Sequence, residues 1–248
     1  MILIPFSSGL DSTVLVHDAL EKKEKIKVCY IDIKNNIGKG TIEVQQRRKI
    51  LKLLEDKFNT YIYDSIGTEI TVNSNHILSL PQAAVWIVGL LYNVTSEIKE
   101  VRIGYCKNDD AISFLEDIKK IWKSYQSICS FKLPKLTFPI SKSGKIEHYY
   151  KLPSDIFQET FFCENPLSVE KKIKTDFFSW EDCGECGTCK RAKYDGTFDY
   201  YERNKKLVEP SLQFLSSGEG TPVKIKDSGL YQTKEKTTKT IKKTIKKK

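Results

Sequence analysis

The sequence predicts an α/β fold: a parallel five-stranded sheet with helices on both faces, followed by a small C-terminal zinc-binding subdomain. Three observations carry that expectation. Short apolar runs alternate with long helical repeats over residues 1–150. A hydroxyl-rich turn, Ser7-Ser8-Gly9-Leu10-Asp11-Ser12-Thr13, separates the first strand from the first helix. Three cysteines recur at two-residue intervals in Cys183-Gly184-Glu185-Cys186-Gly187-Thr188-Cys189.

The apolar run Met1–Phe6 is the first strand, and Val14-Leu15-Val16 through Ala19-Leu20 begins the first helix. Ile26–Asp32 is the second strand, ending in a polar loop over Lys34–Gly40. Glu43–Phe58 has helical periodicity, with Ile50, Leu51, Leu54 and Phe58 on one stripe and Gln45, Arg47, Arg48 and Lys52 elsewhere. Thr60–Asp64 is a short third strand. Pro81 opens an apolar helix running to about Ile98, proline being tolerated in a first helical turn. Val101–Tyr105 is the fourth strand and Ala111–Ile128 an amphipathic helix with Ile112, Leu115, Ile118, Trp122 and Tyr125 on its apolar face. Leu136–Ile140 is the fifth strand, and Lys145–Lys151 a short helix after it. Strands that alternate with helices in this way form right-handed βαβ units, so the sheet is expected to be parallel and covered on both faces. The sequence then changes character, giving a division into 1–150, a cysteine-rich subdomain over 151–215, and a basic, disordered tail over 216–248.

The formal net charge is +9, but Lys234–Lys248 holds eight lysines and one glutamate, +7 of that total. Basicity is therefore a property of the tail, and the body is almost neutral. The tail reads as solvated chain, with non-specific nucleic-acid binding as its one candidate partnership. No basic leader precedes Met1–Phe6, and the longest apolar run, Ala83–Tyr92, is about half of what spans a bilayer. The seven cysteines then imply thiols or a metal site in a reducing, cytoplasmic setting and not disulfides.

The hydroxyl turn sits where a parallel sheet binds ligands, beyond the carboxyl end of its first strand. Backbone N–H groups, the hydroxyls of Ser7, Ser8, Ser12 and Thr13, and the positive end of a helix all converge there, as an anion requires. Gly9 permits unusual backbone angles, and Asp11 can position Mg2+ against phosphates. The expected ligand is ATP, with Ser7, Ser8, Gly9, Leu10, Asp11, Ser12 and Thr13 holding it and Asp11 and Ser12 as catalytic candidates. The turn lacks the Gly-Lys-Ser/Thr of a Walker loop. If position 8 needs positive φ, its serine costs roughly 1 kcal/mol.

Three thiols with glycines between them fold readily around one ion, and Zn2+ takes four ligands. Cys163 is the best fourth ligand beside Cys183, Cys186 and Cys189, with His148 and Cys129 as fallbacks. The same thiolates also suit an iron–sulfur cluster. Cys29 and Cys106 fall in or beside strands and read as buried small residues. Asp109 and Asp110 follow the fourth strand, where one could contact a substrate amine or Mg2+. Lys142 could neutralise a substrate carboxylate. Arg47 and Arg48 read as surface charges, His17 on the first helix reads as a packed or solvated residue, and His76 and His148 show no partner in sequence.

The hydroxyl turn resembles the PP-loop, Ser-Gly-Gly-x-Asp-Ser, of the N-type ATP pyrophosphatases, with Ser8 in place of one glycine. Joined to Cys163…Cys183-x-x-Cys186-x-x-Cys189, it resembles the 7-cyano-7-deazaguanine synthases. Thr160-Phe161-Phe162-Cys163, the Arg191 that trails the cysteines, and Pro139-Ile140-Ser141-Lys142-Ser143 look like further segments of that family. The resemblance spans roughly Met1 to Phe198. It implies a PP-loop, adenine-nucleotide-hydrolase-like fold and an AMP-forming carbon–nitrogen ligase. Such an enzyme turns 7-carboxy-7-deazaguanine, ammonia and ATP into the nitrile of queuosine-type pathways through adenylylated intermediates. ATP, Mg2+ and Zn2+ are the implied cofactors, Tyr30 and Asp32 would border the adenine by position, and a homodimer is compatible. The departures lie in the substrate segments: Pro81-Gln82-Ala83-Ala84 stands where the family carries Pro-Gly-Arg-Asn, and the acidic segment after strand four is reduced. That leaves two alternatives: a PP-loop ATPase acting on tRNA, another nucleic acid or a protein, or a non-catalytic nucleotide-binding partner.

Overall fold

The computed structural model describes residues 1–34, 39–71, 82–107, 109–164, 166, 170–171, 178–179 and 182–194. Five parallel strands form one sheet: β1 (Ile2–Pro5), β2 (Ile26–Lys34), β3 (Tyr63–Thr71), β4 (Glu100–Arg102) and β5 (Lys135–Thr137). Their order is β3-β2-β1-β4-β5, so the chain winds outward from β1 in one direction and then, at β4, in the other. The reversal opens a crevice at the carboxyl ends of β1 and β4.

Helices α1 (Leu10–Glu21), α2 (Gly40–Phe58), α3 (Gln82–Asn93) and α4 (Leu115–Ser124) supply the two outer layers. Alternation along β1 explains how both faces are covered. Ile2 and Ile4 pack with Val14 and Leu15 of α1 and Ile50 and Leu54 of α2, whereas Leu3 packs with Ile87 and Leu90 of α3 and Trp122 of α4. The short helices α5 (Lys145–Lys151) and α6 (Ser154–Gln158) add Tyr149, Ile156 and Phe157 to the first of these cores. At Gly89 an added Cβ would lie 2.6 Å from Ile31 Cγ2, so α3 can approach β2 only without a side chain there.

Several boundaries differ from the sequence expectation. Strand β3 runs on to Thr71, pairing along β2 through a register shift at Tyr30/Ile31. Helix α3 stops at Asn93, and the 111–128 segment is a 3-10 turn (Asp110–Phe114), then α4, then another 3-10 turn (Tyr125–Ser127). Strand β5 is confined to Lys135–Thr137, after which the chain turns toward α5. The cysteine-rich segment contributes a two-residue antiparallel pair, β6 (Glu170–Lys171) with β7 (Phe178–Ser179), and helix α7 (Gly187–Tyr194). Pro81, His76, most of the Lys34–Gly40 loop, Trp180 and the tail expected over 216–248 lie outside the described residues.

Arg47 is the largest correction. It is fully buried, donating through Nε to the Phe6 carbonyl at 2.9 Å and through both terminal nitrogens to Asp64 at the start of β3. Its guanidinium also lies over the rings of Phe6 and Tyr30. A helix position that looks solvent-facing thus ties α2 to the end of β1, next to the hydroxyl turn.

Candidate nucleotide site and metal centre

Strand β1 ends at Pro5, and the turn that follows places Ser8 at φ 65° before α1 begins at Leu10. The left-handed residue lets the chain reverse from strand to helix, so the strain expected for serine at this position is real. Ser8 is buried, its Oγ donating to the Ser7 carbonyl and its own carbonyl accepting from the Phe161 N–H at 3.0 Å. The hydroxyls of Ser12 and Thr13 donate back to the Gly9 carbonyl at 3.0 and 2.8 Å. They brace the turn from beneath. Gly9 caps α1 with no side-chain hydrogen bond, so the first-turn N–H groups of Leu10, Asp11 and Ser12 remain available to an anion. Gly104, just past β4, presses against this turn: a Cβ there would lie 3.0 Å from the Asp11 carbonyl and 3.1 Å from Ser12 N.

Asp11 is the hub of a charged network. Its carboxylate meets His148 Nδ1 at 3.2 Å and Lys145 Nζ at 3.4 Å, and Lys145 reaches on to Asp109 at 3.6 Å. An ionised carboxylate only accepts hydrogen bonds, so the His148 proton on this side is on Nδ1. Burial opposes ionisation of Asp11, but His148 and Lys145 outweigh it and hold the carboxyl below its ordinary value. Burial likewise opposes the Lys145 charge, and Asp11 and Asp109 overcome it, so the ammonium persists well above its ordinary range. Lys145, three residues beyond the proposed Lys142, is the lysine the fold brings to the site. Asp11 and Asp109 are oxygen donors of the kind Mg2+ takes, and with Cys106 their ligand atoms lie within 4.8 Å of one another.

These groups line a cavity of about 290 Å³. Ser7, Gly9, Leu10, Asp11 and Ser12 form one part of its wall, with Ile103, Gly104 and Tyr105 from the end of β4 beside them. Its aromatic wall comprises Trp86, Tyr105, Phe114, Phe157, Phe161 and Phe162. The Nε1 donor of Trp86 is shielded from solvent and has no hydrogen-bond partner among the described residues. The structure brings Ser8 and Thr13 under the cavity floor, not onto its surface. Tyr30 and Asp32 are not in the described wall. The Tyr30 hydroxyl donates to Glu43 at 2.8 Å, and Glu43 lines the cavity with Lys39 and Glu164. Lys39 binds Glu164 at 2.6 Å and Glu43 at 3.5 Å, linking α2 to the residue after Cys163. Burial raises the Glu43 carboxyl above its ordinary value despite Lys39.

Sequence reasoning missed Lys145, Glu43 and Lys39, and offered His148 only as a fallback metal ligand and not as the partner of Asp11. The basic residues that follow Ser143 and the acids that follow Gly40 were visible, but their convergence depends on the crossing of distant strands.

Cys163, Cys183, Cys186 and Cys189 converge as expected, their sulfurs all within 4.8 Å of one another. Cys163 Sγ lies 3.6 Å from Cys183 Sγ, which lies 4.0 Å from Cys189 Sγ. A tetrahedral ion with metal–sulfur bonds of about 2.3 Å has sulfur–sulfur edges of about 3.8 Å, so the donor set fits one such ion. Backbone N–H groups of Cys183, Cys186 and Cys189 donate to the sulfurs of Cys163, Cys183 and Cys186 at 3.2–3.4 Å. Burial opposes the Cys183 thiolate, but the N–H donors of Glu185 and Cys186 and the adjacent thiols bring its pKa to about 7. Gly184, at φ 70°, makes the knuckle turn. His148, a fallback ligand, is committed to Asp11, and Cys29 and Cys106 are buried.

The fold is a parallel five-stranded sheet flanked by helices, with a cysteine cluster suited to a metal in its C-terminal part. No helix among the described residues is long and apolar enough to cross a membrane. No protein-family model and no curated protein matches this chain. Among solved structures, it is similar to a U34-tRNA thiolase, NcsA, from Methanococcus maripaludis with its 4Fe-4S cluster. That similarity has 15% identity and a TM-score of 0.39, and covers 88% of this chain and 73% of the other.

Proposed function

We propose that this chain is an ATP-using enzyme of the PP-loop kind that adenylylates a nucleobase-bearing substrate and releases pyrophosphate. The observation that carries the reading is the uncapped first turn of α1 opening at the sheet's reversal point, beside the half-buried Lys145, whose ammonium is held by Asp11 and Asp109.

A substrate oxygen attacks the α-phosphorus, the bond to the β-phosphate oxygen breaks, and the electron pair leaves with pyrophosphate. The N–H groups of Leu10, Asp11 and Ser12 and the Lys145 ammonium accept that growing negative charge without reorganising. Asp11, fixed between His148 and Lys145, keeps the lysine aimed at the site. Mg2+, held by Asp11 and Asp109, would neutralise phosphate charge. An amine or other nucleophile then displaces AMP. The aromatic wall favours a flat ring as the acceptor.

The narrower form of the reading is the carbon–nitrogen ligation of 7-carboxy-7-deazaguanine with ammonia, supported by the paired loop and cysteine motifs. A second form takes a base within tRNA or another nucleic acid. It is favoured by the altered segment after Pro81 and by the Lys234–Lys248 run, which suits a phosphate backbone. Zn2+ at the four cysteines is supported by a sulfur spacing that suits one tetrahedral ion.

One experiment separates these forms. The protein is incubated with ATP and Mg2+, adding either 7-carboxy-7-deazaguanine with ammonia or bulk tRNA, and nucleotide and substrate masses are read. AMP and pyrophosphate appearing only with one acceptor identifies it. ADP without AMP in every arm overturns the proposal.

A further inference from the structure

Helix α7 carries two kinds of residue at once. Cys189 belongs to the metal centre, and Cys186 immediately precedes the helix. Thr188, Arg191 and Ala192, spaced i, i+3 and i+4 and hence on one stripe, line the nucleotide cavity. Arg191 is near enough to Lys145 for its charge to oppose the lysine's protonation. Two cations therefore converge on the same space. The described structure does little to occupy Arg191. Its one ion pair among the described residues is to Asp110 at 3.4 Å, and that carboxylate is 93% exposed. Such a pair is weak, and most of the guanidinium's five donors are left over.

What holds α7 in place is equally plain. An eight-residue helix is too short to persist by itself, since isolated helices are marginal below about 12–15 residues. The apolar cluster behind it consists of Ile42 and Phe161 packed with the thiols of Cys163 and Cys189, and Phe162, Cys183 and Cys186 at its edge. Four of these seven residues are cysteines. Closing four thiolates on one ion would fix the helix, and opening them would release it.

We infer that the four-cysteine centre controls the cavity's grip on an oxyanion, because it is the metal-held α7 that presents Arg191 beside Lys145. The inference rests on the reading of the cavity as a binding site and makes no use of turnover. The oxyanion is a carboxylate or a phosphate group. The carboxylate would arrive on the acceptor and the phosphate on the nucleotide, and Arg191 binds either as a planar fork.

The test measures equilibrium binding of three probes: inorganic pyrophosphate, α,β-methylene-ATP with Mg2+, and 7-carboxy-7-deazaguanine. Binding is compared in the zinc-loaded, chelator-stripped and reloaded wild type, with metal content quantified, and in Arg191→Gln. Zinc removal should weaken at least one probe about tenfold, a loss typical of one charge-assisted hydrogen bond. Arg191→Gln in the loaded protein should weaken the same probe to a similar degree. Stripping Arg191→Gln should then add little, because both changes remove the same contact. Which probe responds identifies the source of the oxyanion. Hydrogen exchange at residues 187–194 should accelerate on stripping and slow on reloading.

Three results overturn the inference: full affinity for every probe in loaded Arg191→Gln, an equal further loss on stripping that variant, or no probe bound by the loaded wild type. Should stripping unfold the whole chain, the inference falls as well, because the centre would then hold the entire fold and not α7 in particular. Failure to form AMP, with this coupling intact, refutes the enzymatic proposal and leaves the inference standing.

Discussion

Replacing Gly104 by alanine tests the nucleotide cradle at its tightest backbone contact. The new methyl group would meet Asp11 C and O at 3.0 Å and Ser12 N at 3.1 Å. All three are backbone atoms, so no rotamer change relieves the clash. Ordinary carbon contacts begin near 3.5 Å, and the first turn of α1 must therefore yield by a few tenths of an ångström. Overpacking of this kind costs about 1–3 kcal/mol of stability. The groups forced to move are the same N–H donors assigned to the phosphates, so nucleotide affinity should fall about tenfold as well. Urea unfolding gives the first quantity, and titration with a non-hydrolysable ATP analogue gives the second. Gly187→Ala is the control, because a methyl group added there would meet nothing within 4 Å. If Gly104→Ala loses stability but binds the analogue as tightly as the parent, the turn is not the phosphate site and the proposed chemistry falls with it.

Other outcomes follow from the same geometry. Arg47→Met should cost about 3–5 kcal/mol in urea unfolding because Asp64 loses its buried partner, and a second change, Asp64→Leu, should recover much of that; an unchanged single variant would refute the buried pairing. Cys163→Ser and Cys189→Ser should each abolish stoichiometric metal, measured by elemental analysis, whereas Cys129→Ser should retain it. The Asp11–Lys145 pair also sets a pH window. Asp11 is depressed below its ordinary 3.8, so its contribution is complete above that value and is lost as acidity takes pH through the lower folded value. Lys145 is raised above its ordinary 10.5, so its contribution is complete below that value and is lost only at still higher pH. The stability difference between parent and Lys145→Met should therefore be flat from about pH 5 to 9, and a step near neutrality would contradict the assignment.

Much of the fold was legible because its signals are local. Apolar runs such as Ile26–Asp32 and stripes such as Ile50, Leu51, Leu54 and Phe58 are set by the periods of strand and helix. The hydroxyl turn and the cysteine spacing were legible for the same reason, each lying within seven residues or depending on one distant thiol. Arg47 shows where this stops. Its polar surroundings on α2 resemble a solvent face, and only the pairing of β2 with β3 delivers Asp64 to it. His148 is similar: it lies 137 positions from Asp11, and no window of sequence contains both. Strand ends were misjudged where hydrogen bonding outruns hydrophobicity, as in the polar extension Thr68–Thr71 of β3.

The carbonyl of Ser8 is tied to the Phe161 amide, and α7 closes the cavity as late as Ala192. The turn after β1 is thus only one wall of a chamber whose last walls are supplied more than 150 positions later, by Phe161 and by Thr188, Arg191 and Ala192. Closing the cavity and folding the cysteine segment are thereby one event, and a chain that ended before α7 would keep the turn but lack the wall that faces it.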